Sequence, residues 1–374
     1  MGGGVSAGPK NFPLYLSLST NKMDEERQGY EKLFPVWCIA LCPNGKQMAA
    51  ASSDNKIHLW CLMTYQLLIS LTGHGDTIWC VQYSPDCQVL ASTSSDGTIR
   101  LWEVDTGFPI SILRAHANWV WSLQFAPNSQ NFASAGADTR IFLWDVDQNV
   151  PLLGKSAHAK SVMSLSFAPT DGRKLVTVGA DSIVCVWHVN WELPTCDLRA
   201  RLEGHLGCIN SVAISPNSDT FLVTVGEDCM ARLWNLKDLT KDTARESIEK
   251  PRGYNLEHHQ LTGHTEAIYK VAFSQCGRIL ATVGRDSTVR IWNIQPSKAA
   301  FKASLQTSFK AHESWVLTEV GKKKKSVFEE VCDVAQYVAR WLRLSYWICM
   351  VVCCMNQYHH IYFRSATVSF PGTT

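Results

Sequence analysis

A formal net charge of +2 on 374 residues, only 18% of them charged, gives no sign of a basic nucleic-acid-binding surface or an acidic, solvated tail. The length allows a large buried core and by itself suggests two or three domains. Internal repetition overrides that division, because one closed ring of repeats can absorb most of such a chain as a single domain.

In chain order, residues 1–12, beginning MGGGVSAGPK, read as a flexible Gly-rich start with no apolar stretch of the length a secretory signal needs. Met1-Gly2-Gly3-Gly4-Val5-Ser6 also fits the N-myristoylation pattern at Gly2, although one acyl chain gives only marginal membrane binding. Residues 13–34 form a lead-in, with residues 13–20 a candidate closing strand. From residue 35 onward, short β-branched and aromatic runs are broken by Pro, Asp and Gly. Ile78-Trp79-Cys80-Val81-Gln82-Tyr83 is followed by the turn Ser84-Pro85-Asp86. Val89-Leu90-Ala91-Ser92, a turn at Ser95-Asp96-Gly97, and Thr98-Ile99-Arg100-Leu101-Trp102 come next. Such runs predict antiparallel hairpins. A fourth apolar run, such as Leu67 to Leu71, precedes each Gly-His or Ala-His.

The pattern then repeats. His74, His116, His158, His205 and His264 stand 28 or 29 residues before Trp102, Trp144, Trp187, Trp234 and Trp292. Asp96, Asp138, Asp181, Asp228 and Asp286 lie six residues before those tryptophans, and Ser92, Ser134, Thr177, Thr224 and Thr282 four residues before the aspartates. A first unit keeps Asp54 six before Trp60, but has Ala50 at the hydroxyl position and no histidine ahead of it, which predicts a less tightly tied blade. A seventh begins at Ala311-His312 and then fails. The units cover residues 35–72, 73–114, 115–156, 157–202, 203–262 and 263–310, with a partial unit from 311.

Four strands per unit at this spacing resemble the WD-repeat family over residues 35–318. Only Trp144-Asp145 keeps the literal Trp-Asp pair; elsewhere Cys, Glu, His or Asn follows the tryptophan. The resemblance implies an all-β, WD-repeat β-propeller, seven-bladed by design, with the seventh blade incomplete or replaced by an atypical C-terminal tail at 319–374. Ser, His and Asp together are also the set that nucleophilic catalysis uses. An enzyme needs one such set, and five copies at fixed spacing point to structure. Imidazole can bridge carboxylate and hydroxyl while the hydroxyl meets the indole N–H, a satisfied buried network; in the family the equivalent residues tie loops to strands. The expectation is therefore a non-enzyme with no catalytic residue, metal or cofactor.

The resemblance further implies that residues three and five after the repeat histidine, and the residue before the Asp, ring one face and meet partners. These positions hold Thr77 and Trp79, Trp119 and Trp121, Ser161 and Met163, Cys208 and Asn210, Ala267 and Tyr269, and Trp315 and Leu317. Aligning the first unit adds Pro35 and Trp37, and before the Asp stand Ser53, Ser95, Ala137, Ala180, Glu227 and Arg285. Trp37, Trp79, Trp119, Trp121, Met163, Tyr269, Arg285 and Trp315 are the expected partner-binding set, since Trp and Tyr dominate binding hot spots and an exposed aromatic patch costs solubility. The competing reading packs some of them between blades, and an aromatic cage for methylated lysine is a further option. The expected function is a non-catalytic protein–protein interaction scaffold. The alternatives are substrate recognition in a ubiquitin ligase, with Leu233-Trp234-Asn235-Leu236-Lys237 in partial likeness to an adaptor signature, and the non-catalytic part of a larger enzyme.

Between His205 and His264 the interval stretches to 59 residues, against 42 for the first two intervals. The excess lies in the charged stretch from Lys237 through Glu257, expected to be an exposed loop on the face opposite the aromatics, with Thr240, Thr243 and Ser247 as phosphorylation candidates. Beyond Glu319 the tail opens with Gly321-Lys322-Lys323-Lys324-Lys325, a short match to a nuclear signal. A translated intron or alternative exon accounts for it best; a tail that patches the blade and a six-bladed ring are the alternatives. Its apolar run from Tyr346 to Cys354 is too short to cross a bilayer. The 14 cysteines lack disulfide-framework spacing, and Cys38 and Cys42 lack the companions a zinc site wants. Cys38, Cys80 and Cys185 are expected to pack as small hydrophobes. An intracellular protein, cytoplasmic before nuclear, follows.

Overall fold

The computed structural model describes residues 36–64, 66–216, 221–236, 253–254, 258–274, 276–296 and 301–310. The expected seventh unit with Trp315, the tail, the N-terminal segment with Gly2, and Thr240, Thr243 and Ser247 lie outside these.

Six sheets follow one another, each built on four antiparallel strands in chain order, the fourth with one further strand on its outer edge. The first holds β1 (Val36–Leu41), β2 (Gln47–Ser52), β3 (Lys56–Cys61) and β4 (Leu67–Thr72); the second β5 (Ile78–Tyr83), β6 (Val89–Ser94), β7 (Thr98–Glu103) and β8 (Pro109–Arg114). The third holds β9 (Val120–Phe125), β10 (Asn131–Gly136), β11 (Arg140–Asp145) and β12 (Leu153–Ser156); the fourth β13 (Val162–Phe167), β14 (Lys174–Gly179), β15 (Val184–Asn190) and β16 (Thr195–Leu202). The fifth begins with β17 (Ile209–Ile214), β18 (Phe221–Gly226) and β19 (Ala231–Asn235). A two-residue strand, β20 (Gly253–Tyr254), comes before its fourth, β21 (His258–Leu261). The sixth holds β22 (Ile268–Phe273), β23 (Ile279–Gly284), β24 (Thr288–Pro296) and β25 (Phe301–Lys310). No helix occurs among the described residues, and the sheets are the blades of a propeller. The innermost strands β1, β5, β9, β13, β17 and β22 surround a central channel of about 520 Å³.

Burial runs outward from that axis. Every residue of β6, β10 and β18 is buried, whereas most of β4 and β8 is exposed. The core lies between neighbouring blades: Ala133 and Leu143 of the third share a cluster with Leu165, Phe167, Leu175 and Trp187 of the fourth. At roughly 25 cal/mol per Å² of apolar surface removed from water, such clusters are the main attraction between blades.

The hairpin joining second to third strand has one device in all six blades. The residue after the repeat Asp takes a left-handed φ: Asn55 at 63°, Gly97 at 76°, Thr139 at 68°, Ser182 at 65°, Cys229 at 62° and Ser287 at 61°. Only Gly97 adopts this without steric cost. The Asp just before accepts the backbone N–H two residues on, as Asp96 does from Thr98 at 2.8 Å, which holds the turn.

Of the 237–257 excursion, expected to be a solvent loop on the face opposite the aromatics, only Gly253 and Tyr254 lie among the described residues, and these two depart from that expectation. Gly253 and Tyr254 pair in parallel with Arg201 and Leu202 and so give the fourth blade a fifth, outer strand. The pairing sits at the end of β16 that leads into the His205 turn, on the aromatic side. An outer strand carries unpaired backbone groups, and the excursion satisfies two residues' worth of them.

Candidate functional site

The five repeat histidines occupy the turns that lead from one blade into the next, and each meets its own Asp and hydroxyl. Imidazole Nδ1 lies 2.9 Å from Asp96, Asp138, Asp181, Asp228 and Asp286 in His74, His116, His158, His205 and His264. Nε2 lies 2.8, 2.8, 2.8, 2.7 and 2.9 Å from Ser92, Ser134, Thr177, Thr224 and Thr282. Those hydroxyls accept the indole N–H of Trp102, Trp144, Trp187, Trp234 and Trp292 at 2.8–2.9 Å. Indole can only donate, so the hydroxyl gives its own proton to Nε2 and leaves Nδ1–H for the carboxylate. All five hydroxyl residues are fully buried, at 0% exposure, so no substrate can reach a nucleophile there.

Electrostatics follow from the same contacts. Burial alone would raise the Asp228 carboxyl, but the His205 hydrogen bond and charge and the Leu206 and Met230 N–H groups outweigh it and bring it down to about 2. Asp96, Asp138 and Asp181 are lowered in the same way, and Asp286 chiefly by the Thr288 hydroxyl and the Thr265 N–H. Burial pulls His74 and His264 below the ordinary imidazole value despite their aspartates, so both are held neutral.

The first blade departs from the expectation of a loosely tied unit in its imidazole but not at its tryptophan. Asp54 accepts from His58 Nε2 at 2.9 Å, and His58 Nδ1 meets Ser70 Oγ at 2.8 Å. His58, four residues after Asp54 on β3, thus supplies an imidazole from within the blade instead of from the preceding turn. The Asp-x-x-x-His spacing was the available signal. With Ala50 at the hydroxyl position, Trp60 Nε1 is buried with no hydrogen-bond partner.

On the face where these turns lie, a β-bulge interrupts the first hairpin of every blade at the same place. The unpaired residues are Trp37, Trp79, Trp121, Met163, Asn210 and Tyr269. A bulge re-aims one side chain out of the strand alternation, and five of these, all but Asn210, line the channel mouth. Trp37 and Trp79 meet at 4.8 Å between ring centroids with their planes tilted by 51°, and Trp79 and Trp121 at 4.8 Å with a tilt of 54°. Trp119 meets Trp121 edge-on at 5.3 Å and Trp79 at 6.3 Å. Four indoles from three adjacent blades therefore form one continuous surface.

Exposure differs from the sequence expectation. Trp119 and Tyr269 are exposed, at 45% and 41%, but Trp37, Trp79 and Trp121 are half-buried because their faces cover one another. Two of the three are also anchored: Trp37 Nε1 donates to Ser53 Oγ at 2.9 Å and Trp79 Nε1 to Ser95 Oγ at 2.6 Å. In the third blade Ala137 replaces that serine, and Trp121 Nε1 is buried without a partner. Met163 is half-buried. Arg285 is on the exposed rim, paired with Glu266 at 3.5 Å.

The cysteines divide. Cys185 is buried and its thiol is pushed up to about 12, as a packed small hydrophobe. Cys38 and Cys80 are half-buried; each packs against a cluster between blades, as expected of a small hydrophobe, and also lines the channel. Among the described residues no three His, Cys, Asp or Glu side chains are grouped to hold a metal ion, and no helix is long and apolar enough to cross a membrane.

A family model described as WD domain, G-beta repeat, matches six segments: residues 28–61, 65–103, 107–145, 150–188, 196–235 and 256–293. From the second onward each segment takes in the outer strand of one blade and ends on or just past the third strand of the next. The His–hydroxyl–Asp–Trp network therefore closes the joint between successive blades.

Proposed function

Because the chain belongs to the WD-repeat family, whose domains serve generally as protein-interaction scaffolds, we propose that it is a non-catalytic scaffold that takes a partner protein or peptide onto the tryptophan surface at the channel mouth. The observation that carries this reading is the continuous surface of Trp37, Trp79, Trp119 and Trp121 with Trp119 45% exposed at its rim. A large indole left in water next to three others costs solubility unless a partner covers it. The half-buried indoles give that surface a rigid floor, so that little conformational freedom is lost on docking. Met163 and Tyr269 extend it around the mouth, and the Arg285–Glu266 pair supplies a charged rim.

The test is affinity purification with mass spectrometry, comparing wild type with Trp119→Ala. The variant should lose a discrete set of partners, with a loss of about 2 kcal/mol or more, roughly thirtyfold, for a direct one. Its melting temperature should not change, because Trp119 holds nothing in the core. Trp144→Ala is the contrast: it removes a fully buried indole at about 3–5 kcal/mol and destabilises the third blade. An unchanged partner set in Trp119→Ala would refute the proposal.

A further inference from the structure

One level below the tryptophans, the residue after each bulge lines the channel. In blade order these are Cys38, Cys80, Ser122, Ser164, Ser211 and Lys270. Four of the six positions hold a hydroxyl or an ammonium, and the two thiols stand on adjacent inner strands. The Cys38 sulfur lies 3.7 Å from the Val81 carbonyl, so it reaches across to the strand that carries Cys80, and the Cys80 sulfur lies 3.8 Å from the Leu123 carbonyl on the next inner strand.

We propose that Cys38 and Cys80 are a channel dithiol that a hydroperoxide oxidises to a disulfide, a modification that ties the first blade to the second. The Cys80 thiolate attacks the hydroperoxide; an S–O bond forms as the O–O bond breaks, and the departing oxygen leaves as alcohol after taking a proton. The Cys38 sulfur then attacks the sulfenic sulfur. The S–S bond forms, the S–O bond breaks, and hydroxide leaves with the Cys38 proton as water. Two thiols lose two electrons, and the hydroperoxide is reduced to alcohol and water.

The surroundings favour the first step. Hydrogen bonding by Cys38 stabilises the Cys80 thiolate against the burial that opposes it, and the Lys270 ammonium adds attraction, so Cys80 is held below the ordinary thiol value. The titratable and charged groups facing it around the channel are Cys38, Tyr269 and Lys270; among the described residues no carboxylate lines this channel. A built-in contrast lies deeper between the same two blades. Cys42 and Cys87 also share one cluster, but Cys42 is fully buried and burial, with Cys87, pushes its thiol up to about 12.

The full chain, reduced and then treated with a small excess of hydrogen peroxide, is quenched with N-ethylmaleimide and cut with chymotrypsin. Cleavage after Leu41 and Tyr83 separates Cys38 from Cys42 and Cys80 from Cys87. The expected product is a Cys38–Cys80 linked pair, lighter by two hydrogens, that forms before any change at Cys42 or Cys185. Cys38→Ser should halt at a sulfenic acid on Cys80, captured by dimedone. Without any substitution, N-ethylmaleimide should alkylate Cys80 of the reduced chain roughly tenfold faster than Cys185 at neutral pH. Oxidation confined to the exposed Cys276, or a Cys80 rate no higher than that of Cys185, overturns the proposal.

Discussion

Ala50→Ser should stabilise the first blade by about 1 kcal/mol. In register, Ala50 stands opposite His58 as Ser92 stands opposite Arg100. A serine oxygen at position 50 would therefore take the place of Ser92 Oγ, which accepts the indole N–H of its blade at 2.9 Å. Trp60 is 8% exposed and its buried Nε1 has no partner, a defect worth roughly 1–3 kcal/mol. The new hydroxyl would find no imidazole ahead of it in this blade. It still has an outlet in the His58 carbonyl, since Ser92 Oγ also lies 3.4 Å from the Arg100 carbonyl. Burying that hydroxyl takes back part of the gain, which brings the net to about 1 kcal/mol, close to fivefold in the unfolding constant. Urea denaturation reports the global change, and hydrogen exchange across Gln47–Cys61 assigns it to this blade. Ala50→Val, which adds volume without an acceptor, should give no gain. Equal protection by Val and Ser, or none by Ser, would refute the hydrogen-bond reasoning.

Two further outcomes follow from the networks. Asp138→Ala removes the acceptor for His116, Ala117 and Arg140 and should cost about 3 kcal/mol in urea denaturation, with Asp138→Asn recovering part of it; Asp54→Ala should cost a similar amount, because it strands the buried His58. On acidification, His74 and His264, lowered in the fold, favour the native state fully above the unfolded imidazole value of 6.5 and less below it. The lowered aspartates add stability that is present above 3.8 and lost as pH falls through their folded values, for Asp228 about 2. Stability plotted against pH should thus decline first below 6.5 and again, more steeply, below 4, and a curve flat down to pH 4 would contradict the neutral histidines.

The blades and their polar joints were legible because each is written several times. A Ser or Thr, an Asp and a Trp at fixed offsets from a histidine have one geometry that satisfies every donor, and repetition removes the accidents of a single copy. Three features escaped for physical reasons. The left-handed turn residue is announced by Gly97 but not by Thr139 or Cys229, where the Asp hydrogen bonds, not the residue's own preference, fix the backbone. His58 lies outside the repeat, so counting from the histidine position found only a gap. Gly253–Tyr254 pairs with a blade already passed in the chain, a long-range match that no local periodicity encodes.

The bulge explains why the candidate site was found in position and misjudged in exposure. Strand alternation alone would send Trp37, Trp79 and Trp121 to a sheet face between blades. One extra residue on the inner strand, so that two there oppose one on the partner strand, turns each toward the channel mouth instead. The backbone slot is the same in six blades, so it tolerates Trp, Met, Asn or Tyr without disturbing the core, and the repeat places no demand on its side chain. Where three tryptophans occupy adjacent slots, each half-buries the next, and the outermost contact falls to Trp119, which precedes the slot. The proposed recognition at this face would therefore depend on residues that the repeat leaves free, and stability on those that it fixes. A substitution at Trp119 and one at Trp144, in the same blade, should separate the two.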